Sequence, residues 1–194
     1  MTADATQKLE YRLTFASDIS LETANSLRAR MAEVLEQPDF GALTILFSSE
    51  GGATDQSLAL YNYIAGLPVP VHMHAVGHVG SASVPIFLAA ENRTCAVHAR
   101  FFFHEYDWEF DGPQTLRRIN EAVQRLSDDI DWAKKIISAR TQAGPDILNA
   151  LDGVAASKIL LPDDAKLLGF VNEVRDLNNK VGRGAMPFVV WTVS

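Results

Sequence analysis

Apolar residues along the chain fall into short continuous or alternating runs separated by longer stretches with helical spacing. Residues 1–8 are polar and read as a loose leader, and 11–15 alternate as a short strand does. Ser20 looks like an N-cap, with Thr23 at the third position after it. Ala24, Leu27, Met31 and Leu35 then recur at helical intervals, predicting an amphipathic helix over 21–36 that Gln37, Pro38 and Asp39 end. The run LTILF at 43–47 has the continuous apolar character of a strand buried on both faces. A Gly-Gly turn leads from it into a helix over 54–64, which Pro68 and Pro70 break before a second buried strand at 69–76. Small residues then open a helix over 81–90, followed by short strands at 95–97 and 101–103. Further on, the pattern predicts short helices at 146–151 and 163–168, a strand at 170–174, a loop at 178–184 and a last strand at 187–193.

The longest periodic segment is 113–142. Leu116, Ile119, Val123, Leu126, Ile130, Ala133 and Ile137 alternate in steps of three and four, a heptad seam of about three heptads. Arg117, Arg118, Arg125, Asp128, Asp129, Lys134 and Lys135 occupy the other positions. Such a helix either lies along its own domain or projects and packs against a second copy. Strands alternating with helices of ten or more residues imply βαβ units and a mainly parallel sheet. The expectation is one α/β domain over 1–194, with 113–142 as a projecting helix.

Composition adds limits. The 194 residues are 47% hydrophobic and 21% charged, as in ordinary globular proteins, and no apolar run approaches the roughly 18 residues a membrane helix needs. A net charge of −7 without a basic block argues against nucleic-acid or anionic-membrane partners. Cys95 is the sole cysteine, so no internal disulfide forms, and the start lacks the charged and apolar regions of a signal peptide. A cytoplasmic location is expected.

Two strand-to-helix junctions concentrate glycine and small residues: Gly51–Gly52–Ala53, and 77–83 (GHVGSAS). Glycine lets a substrate lie close to the backbone, and a helix start presents unpaired N–H groups to a developing anion. Ser81 there is a candidate nucleophile, although small residues at such turns also serve packing. In FFFHEYDW, His104 stands where an apolar strand meets a polar segment, as a general base for Ser81 would. It fits a satisfied core-edge histidine equally well. Residues 106–110 either line a substrate cleft or pack on a neighbouring subunit. His72 and His74 share a strand face, but no further ligand stands at recognisable metal spacing, so neither metal nor cofactor is expected.

Four segments in order carry a family resemblance. SSEGGATDQSLALYNYI resembles the Ser-Pro-Gly-Gly turn and following helix of ClpP, the proteolytic subunit of the Clp protease, with Glu50 in place of proline. VGHVGSASVPIFLAA is similar to that family's nucleophile segment, Gly-x-Ala-Ala-Ser-Met-Gly, with Ser81 at the nucleophile. CAVHARFFFHEYDW resembles its Met-Ile-His-Gln-Pro block, with His104 at the base, 23 residues after Ser81. LLPDDAKLLGFVNEV resembles its Ala-Glu-Glu-Ala-x-x-x-Gly-Leu-Ile-Asp segment, and the likeness spans about residues 10–175.

The resemblance implies a ClpP/crotonase-like fold with a handle-like helix, and a serine endopeptidase working through an acyl-enzyme inside an oligomeric chamber of stacked rings. It implies peptide or unfolded-protein substrates, an AAA+ ATPase partner, and an oxyanion hole built from the N–H groups of Gly52 and Ala82. Counting back from Gly169 puts the family's catalytic Asp on Ser157, which brings no charge. Asp152, five residues upstream, is the expected substitute if the loop there takes a different path. His78 is another departure, replacing a Gln or similar residue beside the nucleophile. Ser157 also supports a second reading, a weak or silent ClpP-like structural subunit. A crotonase-like acyl-CoA enzyme is a third, disfavoured by the Ser81 and His104 pair.

Overall fold

A computed structural model describes residues 8–176 and 188–193. The loop expected at 178–184 lies outside the described residues. Strand β1 (Leu9–Ala16) leads to helix α1 (Leu21–Leu35), β2 (Phe40–Ser49), α2 (Thr54–Ala65) and β3 (Val71–Gly80). A short α3 (Ser83–Phe87), β4 (Asn92–Cys95) and β5 (Arg100–Phe103) follow. The long α4 (Leu116–Arg140), α5 (Pro145–Leu148), β6 (Lys158–Leu160), α6 (Pro162–Leu167), β7 (Glu173–Val174) and β8 (Phe188–Thr192) complete the order.

One eight-stranded sheet runs β6-β5-β3-β2-β1-β8, and β4 joins β3 to β7. Every pairing is parallel except β5 with β6. The expected α/β architecture is therefore present. Strand β3 is the hinge of the topology. Its first half pairs with β4 and its last three residues pair with β5, so the chain's chemistry-bearing strand ends meet at one sheet edge.

Burial explains the elements. Leu13, Phe15, Leu43, Ile45, Phe47, Met73 and Ala75 are fully buried with Ala24, Leu27 and Met31 of α1, and Phe15 stacks on Phe47 at 5.5 Å. Ser20 caps α1 as its sequence position predicts, in a reciprocal arrangement with Thr23. Four segments differ from expectation: the strand expected at 95–97 is instead Asn92–Cys95, with Val97 in a turn, and three others change as follows. The helix expected over 81–90 shrinks to Ser83–Phe87: Ser81 takes φ +51°, outside the helical region, and after Phe87 the chain tightens into a turn, Ala89 N–H donating to Ile86 O at 3.1 Å. The strand expected at 170–174 is only Glu173–Val174, since Phe170 N–H turns back to Ala165 O at 2.8 Å and its ring enters the core against Phe101 and Phe103. Strand β6 carries no periodic signal of its own and exists because β5 offers it an edge.

No described helix is long and apolar enough to cross a membrane. Helix α4 begins at its Thr115 cap, whose hydroxyl accepts from Arg118 N–H. The seam splits along its length. Leu116 is 74% exposed and Val123 62%, whereas Leu126 and Ile130 lean on the core and Ala133 and Ile137 lie within it. In the N-terminal half the seam positions Leu116, Ile119 and Val123 are thus exposed, while Ala122 on another face is buried.

Candidate active site

The site forms where β2 and β3 end. Gly51 and Gly52 follow β2 at φ +115° and +133°, values that glycine alone adopts at little cost. Space demands glycine as well. A Cβ on Gly51 would sit 2.8 Å from Ser81 Cβ, and one on Gly52 would sit 2.3 Å from Ile19 O. Ile19 N–H donates to Gly51 O at 2.7 Å and Ala53 N–H to Ile19 O at 2.8 Å, which ties the turn to the start of α1. Ser83, the other serine of the motif, is consumed by packing: its buried hydroxyl donates to Gly80 O at 2.7 Å and Ser49 O at 3.0 Å.

Ser81 is the one non-glycine residue with positive φ among the described residues. Left-handed backbone costs an L-residue roughly 1–2 kcal/mol, and such strain concentrates at functional turns. It is held by Ser81 N–H donating to Phe102 O at 2.9 Å and Val84 N–H donating to Ser81 O at 3.1 Å. One cleft of about 330 Å³ brings Ser81 together with His104, Gly51, Gly52, Asp18, Glu50 and Asp107. The His104 ring stacks on Phe102 at 5.1 Å. No hydrogen bond joins Ser81 Oγ to His104; such bonds commonly tighten only when substrate arrives. The N–H groups of Gly52 and Ala82 donate to no described acceptor, so both are available to an oxyanion.

Strand β6 pairs antiparallel with β5, Phe102 opposite Ile159 and Phe103 opposite Lys158, and the ladder ends there, one residue short of His104 and Ser157. Ser157 is exposed and carries no charge. Asp152 is placed elsewhere. Its carboxylate pairs with Lys134 of α4 and accepts from Val154 N–H at 3.4 Å, and the Lys134 ammonium holds it below the usual carboxylate range.

This geometry, a serine at a strained strand–helix junction in a cleft shared with a histidine, coincides with a family match. The family model named Clp protease covers residues 2–178. The chain belongs to the Clp protease family. A relative from Borreliella burgdorferi, described as ATP-dependent Clp protease proteolytic subunit 2, is 32% identical over 156 residues, spanning 75% of this chain and 77% of that protein. Among solved structures, a ClpP1 mutant from Listeria monocytogenes superposes with TM-score 0.70 over 87% of this chain and 92% of that one. At 20% identity, that likeness speaks for the fold.

The cleft also holds residues that no sequence motif marks. Asp18 carried no signal, because only the bridge from Ile19 to Gly52 brings it across. Glu50 was noted for replacing proline, and His78 for replacing a polar neighbour of the nucleophile. The structure sets these two departures side by side, His78 Nε2 3.1 Å from Glu50 Oε2, though not aligned as a hydrogen bond. Of the segment 106–110, Asp107 faces the cleft, Tyr106 is buried, and Trp108 lies under the Arg125 guanidinium at 5.0 Å.

Proposed function

We propose that this Clp protease family member is a serine endopeptidase acting through a Ser81–His104 dyad. His104 takes the proton of Ser81 Oγ as that oxygen attacks a peptide carbonyl. The tetrahedral oxyanion is received by Gly52 N–H and Ala82 N–H, and the protonated His104 passes its proton to the leaving amine. Water, activated by the same ring, then hydrolyses the acyl-enzyme. The observation that carries this reading is the positive φ of Ser81 in a cleft shared with His104. With Ser157 rather than a carboxylate where the family resemblance puts the acid, imidazolium is less stabilised and turnover is slow. The family match supports a ring assembly enclosing the site, unfolded chains as substrates and an ATPase that delivers them.

Ser157, where the family resemblance puts the acid, favours a second reading, a catalytically silent subunit that contributes to the ring. A fluorophosphonate probe separates the two. Labelling confined to Ser81, lost in Ser81→Ala and retained in Ser83→Ala, supports the peptidase. Absence of labelling at any pH between 6 and 9 supports the silent subunit.

A further inference from the structure

The cleft around Ser81 carries an unusual charge. Asp18, Glu50 and Asp107 come from three separate loops, yet all line the same space of about 330 Å³, and among the described residues no lysine or arginine lines it. Glu50 has His78 beside it, while Asp18 and Asp107 pair with no described cation and accept no hydrogen bond through their carboxylates. A net charge of −7 makes exposed acids common on this chain. Elsewhere some surface acids have a cation beside them, as Glu33 has Arg30, Asp146 Lys158 and Glu91 Arg140, while others such as Glu22, Glu36, Asp163 and Asp164 have no ion pair among the described residues. What marks the cleft is that three carboxylates line one space.

That this space receives a ligand follows from a separate observation. Ala82 is 1% exposed, and its N–H has no acceptor within the described chain, as Gly52 N–H has none. Both donors adjoin the strained Ser81, so the carbonyl of a bound peptide completes what the fold leaves unpaired.

We propose that the cleft selects peptides bearing a lysine or arginine side chain beside the bond presented to Ser81. The inference rests on the peptidase reading and names its substrate class. Long basic side chains reach across a wet cleft and meet carboxylates arriving from three directions. Each attraction in such high-dielectric surroundings is worth a factor of a few, and three together amount to about tenfold or more. Acidic side chains in the same place meet three like charges and are rejected. Because the carboxylates are exposed, the preference weakens with salt as the screening length falls from about 10 Å near 0.1 M to about 3 Å at 1 M.

The test separates binding from chemistry. Dye-labelled hexapeptides of alanine with one central Lys, Gln or Glu are titrated against Ser81→Ala, read by fluorescence anisotropy. The Lys peptide is expected to bind about tenfold tighter than the Glu peptide at low salt, with Gln between them and the spread closing near 1 M NaCl. Asp18→Asn, Glu50→Gln and Asp107→Asn combined collapse the spread, and Asp107→Lys shifts it toward the Glu peptide. Equal binding of the three peptides, a spread that survives the triple variant, or no binding of the Lys peptide at millimolar concentration overturns the proposal. Hydrolysis of the same peptides by the unaltered chain reports on the peptidase reading alone. If Asp18→Asn or Asp107→Asn in that chain slows the Lys and Gln peptides equally, that carboxylate serves His104 rather than selectivity, and the proposal fails for it.

Discussion

Ser81 holds its left-handed backbone because its neighbours leave no alternative. Its N–H is committed to Phe102, its carbonyl to Val84, and Gly51 vacates the space that a Cβ would fill 2.8 Å away. The remaining question at this scale is the third catalytic group. An Asp fixes the histidine tautomer and stabilises the imidazolium, and its replacement by Asn in a serine-protease triad costs on the order of 10⁴ in kcat. The β5–β6 ladder ends at Phe103 and Lys158, one residue short of His104 and Ser157, whereas Asp152 is engaged with Lys134. Ser157→Asp is therefore expected to raise the peptide-cleavage kcat by about 10² or more. Asp152→Ala should leave kcat within about twofold and lower stability by roughly 0.2–1 kcal/mol, the scale of a half-exposed ion pair. Steady-state kinetics on one fluorogenic peptide decides this, and abolition of activity in Asp152→Ala would mean that the acid has moved there.

The apolar seam of helix α4 is buried in its C-terminal half and exposed in its N-terminal half. Ala133, Ile136 and Ile137 enter the core and Trp132 meets Tyr61 edge-on, while Leu116, Ile119 and Val123 are left in solvent. A row of large apolar side chains at heptad spacing is costly in water and is covered when a second helix packs on it. Leu116→Asp with Val123→Asp should place charges in that seam and lower the particle mass seen by light scattering. Because both side chains are exposed in the single chain, its circular dichroism and Tm should hardly change. Leu126 and Ile130 are poorer probes, since Asp at either would also disturb the core they lean on. A monomeric unaltered protein, or an unchanged mass in the double variant, argues against this helix as the interface.

The whole sheet is two-sided in an uneven way. One face buries Leu13, Ile45 and Met73 under the helices; the other carries a polar chain across four strands. There Arg12 donates to Glu10 at 2.9 Å, Thr44 donates to Glu10 at 2.6 Å, and the rings of His72 and His74 both reach the Thr94 hydroxyl, at 2.9 and 2.6 Å. This is where the H-x-H pair goes. Burial, reinforced by His72 and Arg175, pulls the His74 ring down from 6.5 to about 4. Between those values the unfolded chain binds a proton that the folded chain refuses, so stability rises with pH across the window and is lost as pH falls from 6.5 toward 4. Thermal melts of the unaltered chain and His74→Gln at pH 7.5 and 4.5 should show the larger drop in the unaltered chain. Equal drops would remove His74 as the source.

Much of this protein was legible in its sequence because the signals are local. Continuous apolar runs mark β2 and β3, the Ser20–Thr23 pattern marks the start of α1, and the 116–137 seam marks α4, since each depends on residues within one or two turns. The Gly51–Gly52 and Ser81 junctions are local too, being turns whose backbone only certain residues tolerate. What the sequence could not determine depends on partners distant along the chain. Strand β6 exists because β5 presents an unpaired edge, Asp152 is claimed by Lys134 from another element, and Asp18 joins the cleft through a bridge between Ile19 and Gly52. Short segments have too few residues for periodicity to set their state, and an exposed carboxylate carries no pattern at all. Their roles are assigned by the packing of the whole sheet, which alone brings residues 18, 50, 81, 104 and 107 around one space.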